Sequence, residues 1–212
     1  MRFIYLHGFA SSPLSNKAVS LRDRFAIRNI PLEIPDLNQG DFSHLTITRQ
    51  LNYLKRAFLS DETPVTLIGS SLGGLTSAWL GQQNSQVQRL VLLAPAFGFL
   101  SHWLPQLEEQ ELREWQTSGY RLVYHYGEKR SLPLHYQFVD DARQYQEDQL
   151  VRPIPTLILH GKQDEVIPLS ASRNYALLRP WVKLIGLESD HALTDVMPQI
   201  WEAIQGFCLS DD

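Results

Sequence analysis

Short apolar runs alternate with helix-length amphipathic stretches along most of this chain, and few architectures accept that pattern. Arg2–Leu6 reads as a strand that stops at His7-Gly8, and Asn16–Ile27 as a helix with Ala18, Leu21 and Phe25 on one face. Leu32–Ile34 is a short strand ahead of Pro35, and Ile47, Leu51, Leu54 and Phe58 recur at helical spacing over Thr46–Leu59. Val65–Ile68 and Arg89–Leu93 read as buried strands flanking a helix over Leu72–Gln82. Thr156–His160 and Val182–Ile185 follow as strands. A closing helix carries Val196, Ile200, Ile204 and Phe207, with Pro198 in its first turn, where proline is tolerated. The expectation is an α/β fold: one domain over 1–212, with a mainly parallel, doubly wound sheet of about six strands flanked by helices.

One stretch breaks the alternation. About 60 residues separate Leu93 from Thr156, too many for an ordinary connection between strand and helix. This insertion, approximately 98–150, follows the fourth strand and holds Trp103, Trp115, Tyr120, Tyr124, Tyr126, Tyr136, Phe138 and Tyr145. Arg121–Tyr126 and Ser131–Tyr136 can pair as a hairpin, with Pro133 confined to an edge. A subdomain with its own small core and a lid over a pocket both fit this composition, and the lid is the expectation taken forward.

Charge and cysteine usage remove several classes of function. Nineteen Lys and Arg against 23 Asp and Glu give a net charge of −4, with no basic field to hold nucleic acid. A lone cysteine, Cys208, excludes an intrachain disulfide and any multi-cysteine metal site, and it suits a reducing, cytoplasmic setting. The longest apolar stretch, Leu90–Leu100, has 11 residues, whereas a membrane span needs about 20. The N-terminal apolar run is too short for a signal peptide.

The chemistry is written at the end of the third strand. Gly69-Ser70-Ser71-Leu72-Gly73-Gly74 contains G-x-S-x-G, entered from a strand and left by a helix. That context is a sharp turn that lifts a serine above a sheet. Only Ser71 has glycine two residues to either side, so Ser70 is read as structural. A serine hydroxyl needs an adjacent base, and the base needs an orienting acid. On this architecture the chain order is Ser, acid, His, with the last two in turns after late strands. Asp164 follows the strand ending at His160, and His191 is the histidine after the final strand. Asp140 and Asp141 remain alternative acids; Asp190 adjoins the base, and His160 is read as bonding locally. The backbone amides of Phe9, after the first strand, and Leu72, after the nucleophile, are the expected oxyanion donors. If the second strand lies outside the first, strand order reverses between the first and third strands. Their carboxyl ends carry His7-Gly8-Phe9 and the serine turn, where doubly wound sheets bind ligands.

Taken with Tyr5-Leu6-His7-Gly8-Phe9, Ser11-Ser12-Pro13, His160-Gly161 and Ser189-Asp190-His191, the serine turn resembles the α/β-hydrolase superfamily. Within it, the chain resembles the short bacterial YqiA/YcfP-like esterases. The resemblance implies a sheet without the first two strands of larger hydrolases. It also implies carboxylic-ester hydrolysis by Ser71, His191 and Asp164. The expected substrate is a small-molecule ester or thioester, cleaved through an acyl-enzyme with no metal or organic cofactor. Carbon–carbon bond hydrolysis, lyase or amidase chemistry on the same residues, or ligand binding without catalysis, are the rival functions, because fold does not fix chemistry.

Overall fold

In the computed structural model, which describes residues 1–58 and 61–209, β1 (Arg2–Leu6) leads into α1 (Asn16–Ile27) and a two-residue β2 (Leu32–Glu33). Next come α2 (Ile47–Phe58), β3 (Val65–Ser70), α3 (Leu72–Gln83) and β4 (Val87–Leu93). The insertion contributes α4 (Phe99–Trp103), α5 (Glu109–Ser118), β5 (Tyr120–His125), β6 (Arg130–His135) and α6 (Gln137–Ala142). The chain closes with β7 (Thr156–Gly161), α7 (Leu169–Leu177), β8 (Val182–Leu187) and α8 (Met197–Ile204). Leu59, the expected end of the second helix, lies outside the described residues.

Six strands form one sheet in the order β2-β1-β3-β4-β7-β8, and every pairing in it is parallel. Strand order reverses between β1 and β3, as the sequence predicts. Alternate side chains of each strand serve opposite faces. Ile4 and Leu6 join a core with Ile47, Leu51 and Leu54 of α2 and Leu75 of α3. Phe3 and Tyr5 join the other core, with Ala18, Leu21 and Phe25 of α1 and Ile200 and Ile204 of α8. Both faces are therefore covered, which explains strands that read as near-continuous apolar runs. The strands extend past their predicted ends: β3 runs on to Ser70, β7 to Gly161 and β8 to Leu187. These carboxyl ends reach the loops that carry the site. Phe207, placed on the closing helix by periodicity, falls instead in a π-helical turn over Gln205–Leu209.

The insertion is bound tightly to the sheet domain. A capping box between Glu108 and Glu111 starts α5, and Gly119 in the left-handed region ends it. Strands β5 and β6 form an antiparallel hairpin one residue out of the predicted frame, at Tyr120–His125 and Arg130–His135. Its turn donates the Tyr126 amide to the Ala10 carbonyl at 2.8 Å. At the base, Gly98 donates its amide to Glu147 Oε1 at 2.7 Å, joining the two ends of the inserted stretch. Trp115, Leu134, Tyr136 and Phe138 pack into the same apolar cluster as α2 and α3. The insertion thus shares the core of the sheet domain.

Candidate active site

The turn between β3 and α3 holds Ser71 at φ 52° and ψ −118°, a conformation costly for any residue with a β-carbon. Backbone bonds enforce it. The Ser71 amide donates to Leu93 O at 2.9 Å, and the Ser71 carbonyl accepts from Gly74, Leu75 and Ala96. The end of β4 therefore pins the turn from one side. On the other side, a β-carbon at Gly73 would overlap the carbonyl oxygens of Leu6 and His7, and one at Gly69 would overlap Gly73 O. The two glycines of the motif are there because strand and helix backbones touch.

The three side chains picked out by sequence order come together. His191 Nε2 lies 3.1 Å from Ser71 Oγ, and His191 Nδ1 lies 2.7 Å from Asp164 Oδ2. Asp164 follows β7 and His191 follows β8, and the two loops lie against each other at Gly161, where a β-carbon would strike the carbonyls of Ser189 and Asp190. The Asp164 side chain is fully buried, whereas that of His191 remains 23% exposed. Burial alone would push the Asp164 carboxyl up. Hydrogen bonds from His160, His191 and the Ile167 amide outweigh it and hold the carboxyl well below the usual carboxylate range.

The rival acids are engaged elsewhere. Asp140 pairs with Arg143, and Asp141 Oδ2 accepts the Thr48 amide in the first turn of α2. Asp190 Oδ1 accepts from the amides of Ala192 and Leu193, shaping the loop that presents His191. Ser70 is buried at the end of β3.

The expected oxyanion donors flank the same serine. A β-carbon on Gly8 would touch Ser71 Cβ at 3.4 Å, so the loop after β1 lies alongside the serine turn. The amides of Phe9 and Leu72 donate to no backbone carbonyl among the described residues. Leu72 is the first residue of α3, a position whose amide has no carbonyl one helical turn back to bond. The Gly8–Phe9 peptide is held through its carbonyl. Leu37 donates its amide to His7 Nε2 at 3.0 Å, which leaves the hydrogen on Nδ1, and Nδ1 donates to Gly8 O at 3.0 Å. Around Phe9 stand Phe138, Phe42 and Trp103, with ring centroids 5.2, 5.6 and 5.6 Å away.

Two residues at the site have weak or no sequence signals. Lys17, in the first turn of α1, donates its ammonium to Ala192 O at 2.8 Å and so ties down the His191 loop. Burial pushes its ammonium down to about 8, against the pull of Asp164 and Asp190. Its partner is 175 positions away, and no local pattern marks it. His160 is read from sequence as bonding locally; its partners turn out to include Asp164, Ile167 and Ser172. The spacing His160-x-x-x-Asp164 was the available signal. Among the described residues no group of three or more His, Cys, Asp or Glu could hold a metal ion, and no helix is long and apolar enough to cross a membrane.

Solved structures with this geometry of sheet and helices are numerous. Alpha/beta hydrolase domain-containing protein 10 from mouse superposes with a TM-score of 0.78 at 22% identity, covering 96% of this chain and 86% of that one. Est1E from Butyrivibrio proteoclasticus, solved with ferulic acid, gives 0.79 at 20% identity, covering 98% and 89%. A pyrethroid hydrolase from Sphingobium faniae JZ-2 gives 0.68 at 21% identity, covering 98% and 96%. No curated protein matches the chain significantly. The fold is that of the α/β hydrolases, and a family model matches residues 2–208: the chain belongs to the Uncharacterised protein family (UPF0227).

Proposed function

We propose that this protein is a serine hydrolase that cleaves carboxylic esters, thioesters included, through an acyl-enzyme on Ser71. The observation that carries the reading is the continuous chain from Asp164 Oδ2 through His191 to Ser71 Oγ, with contacts of 2.7 and 3.1 Å. Ser71 Oγ attacks the ester carbonyl carbon as its proton passes to His191 Nε2. Asp164 accepts from Nδ1, fixing the tautomer that leaves Nε2 free and stabilising the imidazolium that forms. The carbonyl oxygen, now an oxyanion, takes hydrogen bonds from the Phe9 and Leu72 amides, each worth about 3 kcal/mol where such donors have been measured. Collapse expels the alcohol, which receives the proton from Nε2. His191 then deprotonates water, which attacks the acyl carbon, releases the acid and returns Ser71.

The aromatic rings around Phe9 favour substrates with an apolar or aromatic acyl or alcohol group. Phe9, Phe99 and Trp103 are half-buried beside the fully buried Phe138, and mostly apolar walls are what ester pockets use. The ferulic acid seen in Est1E, an aromatic acid, is consistent with this preference. From His102 to Asp148 the insertion carries nine Asp and Glu against five Lys and Arg, which disfavours anionic esters.

A fluorophosphonate probe and a p-nitrophenyl ester series test the reading. The wild type should label and turn over neutral esters, Ser71→Ala should do neither, and Ser70→Ala should keep most activity. Equal loss in both serine variants, or an unlabelled wild type, would reject the nucleophile. A diketone or amide cleaved in preference to every ester would move the reaction to another class.

A further inference from the structure

We propose that His160 is a positioning residue of this site, holding the Asp164 carboxylate in the orientation that His191 requires; the inference rests on the triad proposed above. Asp164 is surrounded by donors. Oδ1 accepts from the amides of Val166 and Ile167 at 2.9 and 2.8 Å. Oδ2 is shared by two imidazoles, with His191 Nδ1 at 2.7 Å and His160 Nε2 at 3.2 Å.

His160 is fully buried at the end of β7, with a polar partner at each ring nitrogen. Its Nδ1 lies 2.8 Å from Ser172 Oγ of α7. Its Nε2 is directed at Ile167 O at 2.9 Å, with Asp164 Oδ2 beside that line. Both oxygens near Nε2 can only accept, so Nε2 carries a hydrogen whichever charge state the ring adopts. Ile167 closes the ring of contacts: its amide donates to Asp164 and its carbonyl accepts from His160. His160 thus acts on the acid twice, through the shared oxygen and through the loop that wraps the other one. The resulting chain runs Ser172, His160, Asp164, His191, Ser71. Orientation of a directly acting residue by such outer partners is a general device of preorganised sites.

The same contacts could serve only to tie β7 to α7, and that role would affect stability alone. The pH dependence separates the two. The charged and titratable groups acting on Asp164 are His160 from β7, His191 from the loop after β8, and Lys17 from α1, which Asp190 also attracts. The Lys162–Glu188 pair sits exposed at the rim. Removing the Nε2 hydrogen leaves the other groups in place and makes Asp164 a stronger partner for the protonated form of His191. The pH at which the nucleophile becomes half active should then rise.

The test is the rate of fluorophosphonate labelling of the full-length protein across pH, beside its melting temperature. His160→Leu should label about tenfold more slowly at its plateau, with the midpoint displaced upward by about half a pH unit. His160→Gln retains an N–H near the position of Nε2 and should return the midpoint to the wild-type value. Ser172→Ala removes the partner of Nδ1 and loosens the ring that aims Nε2 at Asp164 Oδ2, so its midpoint should move in the same direction by less. That variant decides the matter if His160→Leu does not fold. An unchanged midpoint in these variants, with only the melting temperature lowered, overturns the proposal. An unlabelled wild type overturns the triad and this inference with it.

Discussion

Gly73 and Leu6 lie so close that a β-carbon on Gly73 would fall 2.2 Å from the Leu6 carbonyl oxygen. This contact joins the first turn of α3 to the end of β1, the two places from which the oxyanion donors are proposed to come. Gly73→Ala should therefore push the two apart, costing about 1–3 kcal/mol, the usual range for overpacking a filled site. A fall in melting temperature with loss of esterase activity is expected. A variant of unchanged stability would show that the two backbones can separate freely.

Ser71 is held at φ 52° and ψ −118°, where glycine is at ease and serine is not. Ser71→Gly removes strain of order 1–3 kcal/mol, partly offset by about 0.4–1 kcal/mol of unfolded-chain entropy. Both Ser71→Gly and Ser71→Ala should lose ester turnover, but the glycine variant should melt at the higher temperature. Calorimetry on the pair checks this, and a lower melting point for the glycine form would contradict it.

Asp164 titrates below the ordinary carboxylate range in the folded protein, because its hydrogen bonds outweigh burial. The unfolded chain therefore binds the proton first as pH falls. The stabilisation from this group is fully present above the ordinary aspartate value of about 3.9. It is lost as pH drops from there through the lower folded value. Asp164→Asn should accordingly be less stable than wild type near neutrality, with the gap narrowing in acid. Melting temperatures of both proteins from neutral to strongly acidic pH measure it; a gap that stays constant would contradict the assignment.

Trp103 and Trp115 carry the same side chain in the same inserted stretch, yet their surroundings differ. Trp115 is 1% exposed and donates its indole N–H to Leu134 O at 2.9 Å, so it packs the interior of the insertion. Trp103 is half-buried and its ring meets Phe9, Phe99 and Trp115. Trp115→Ala should lower stability by about 3–5 kcal/mol, the range for large-to-small core changes, and leave the ranking of esters by kcat/KM unchanged. Trp103→Ala should alter that ranking across an acyl chain-length series. Identical rankings in both variants would remove the insertion from the substrate pocket.

Much of the architecture was legible in the chain itself. The limits of β1 and α1 follow from apolar periodicity, because burial on one face of a helix or both faces of a strand is a local demand on residue order. Gly69 and Gly73 around Ser71 mark the sharp serine turn, since only a missing side chain permits that backbone approach. The order Ser71, Asp164, His191 is likewise readable, as each residue sits just past a recognisable strand.

Which residues meet is settled by the folded chain alone. His191 reaches Ser71 across 120 positions, and Lys17 reaches Ala192 across 175. Those separations leave no periodic trace. Nor does composition show that Trp115 fills a core while Trp103 faces Phe9, or that one Asp164 oxygen is shared between His191 and His160. Local patterns encode which face of an element is buried; the partner of a polar side chain is chosen only when the sheet closes and brings distant loops to one edge.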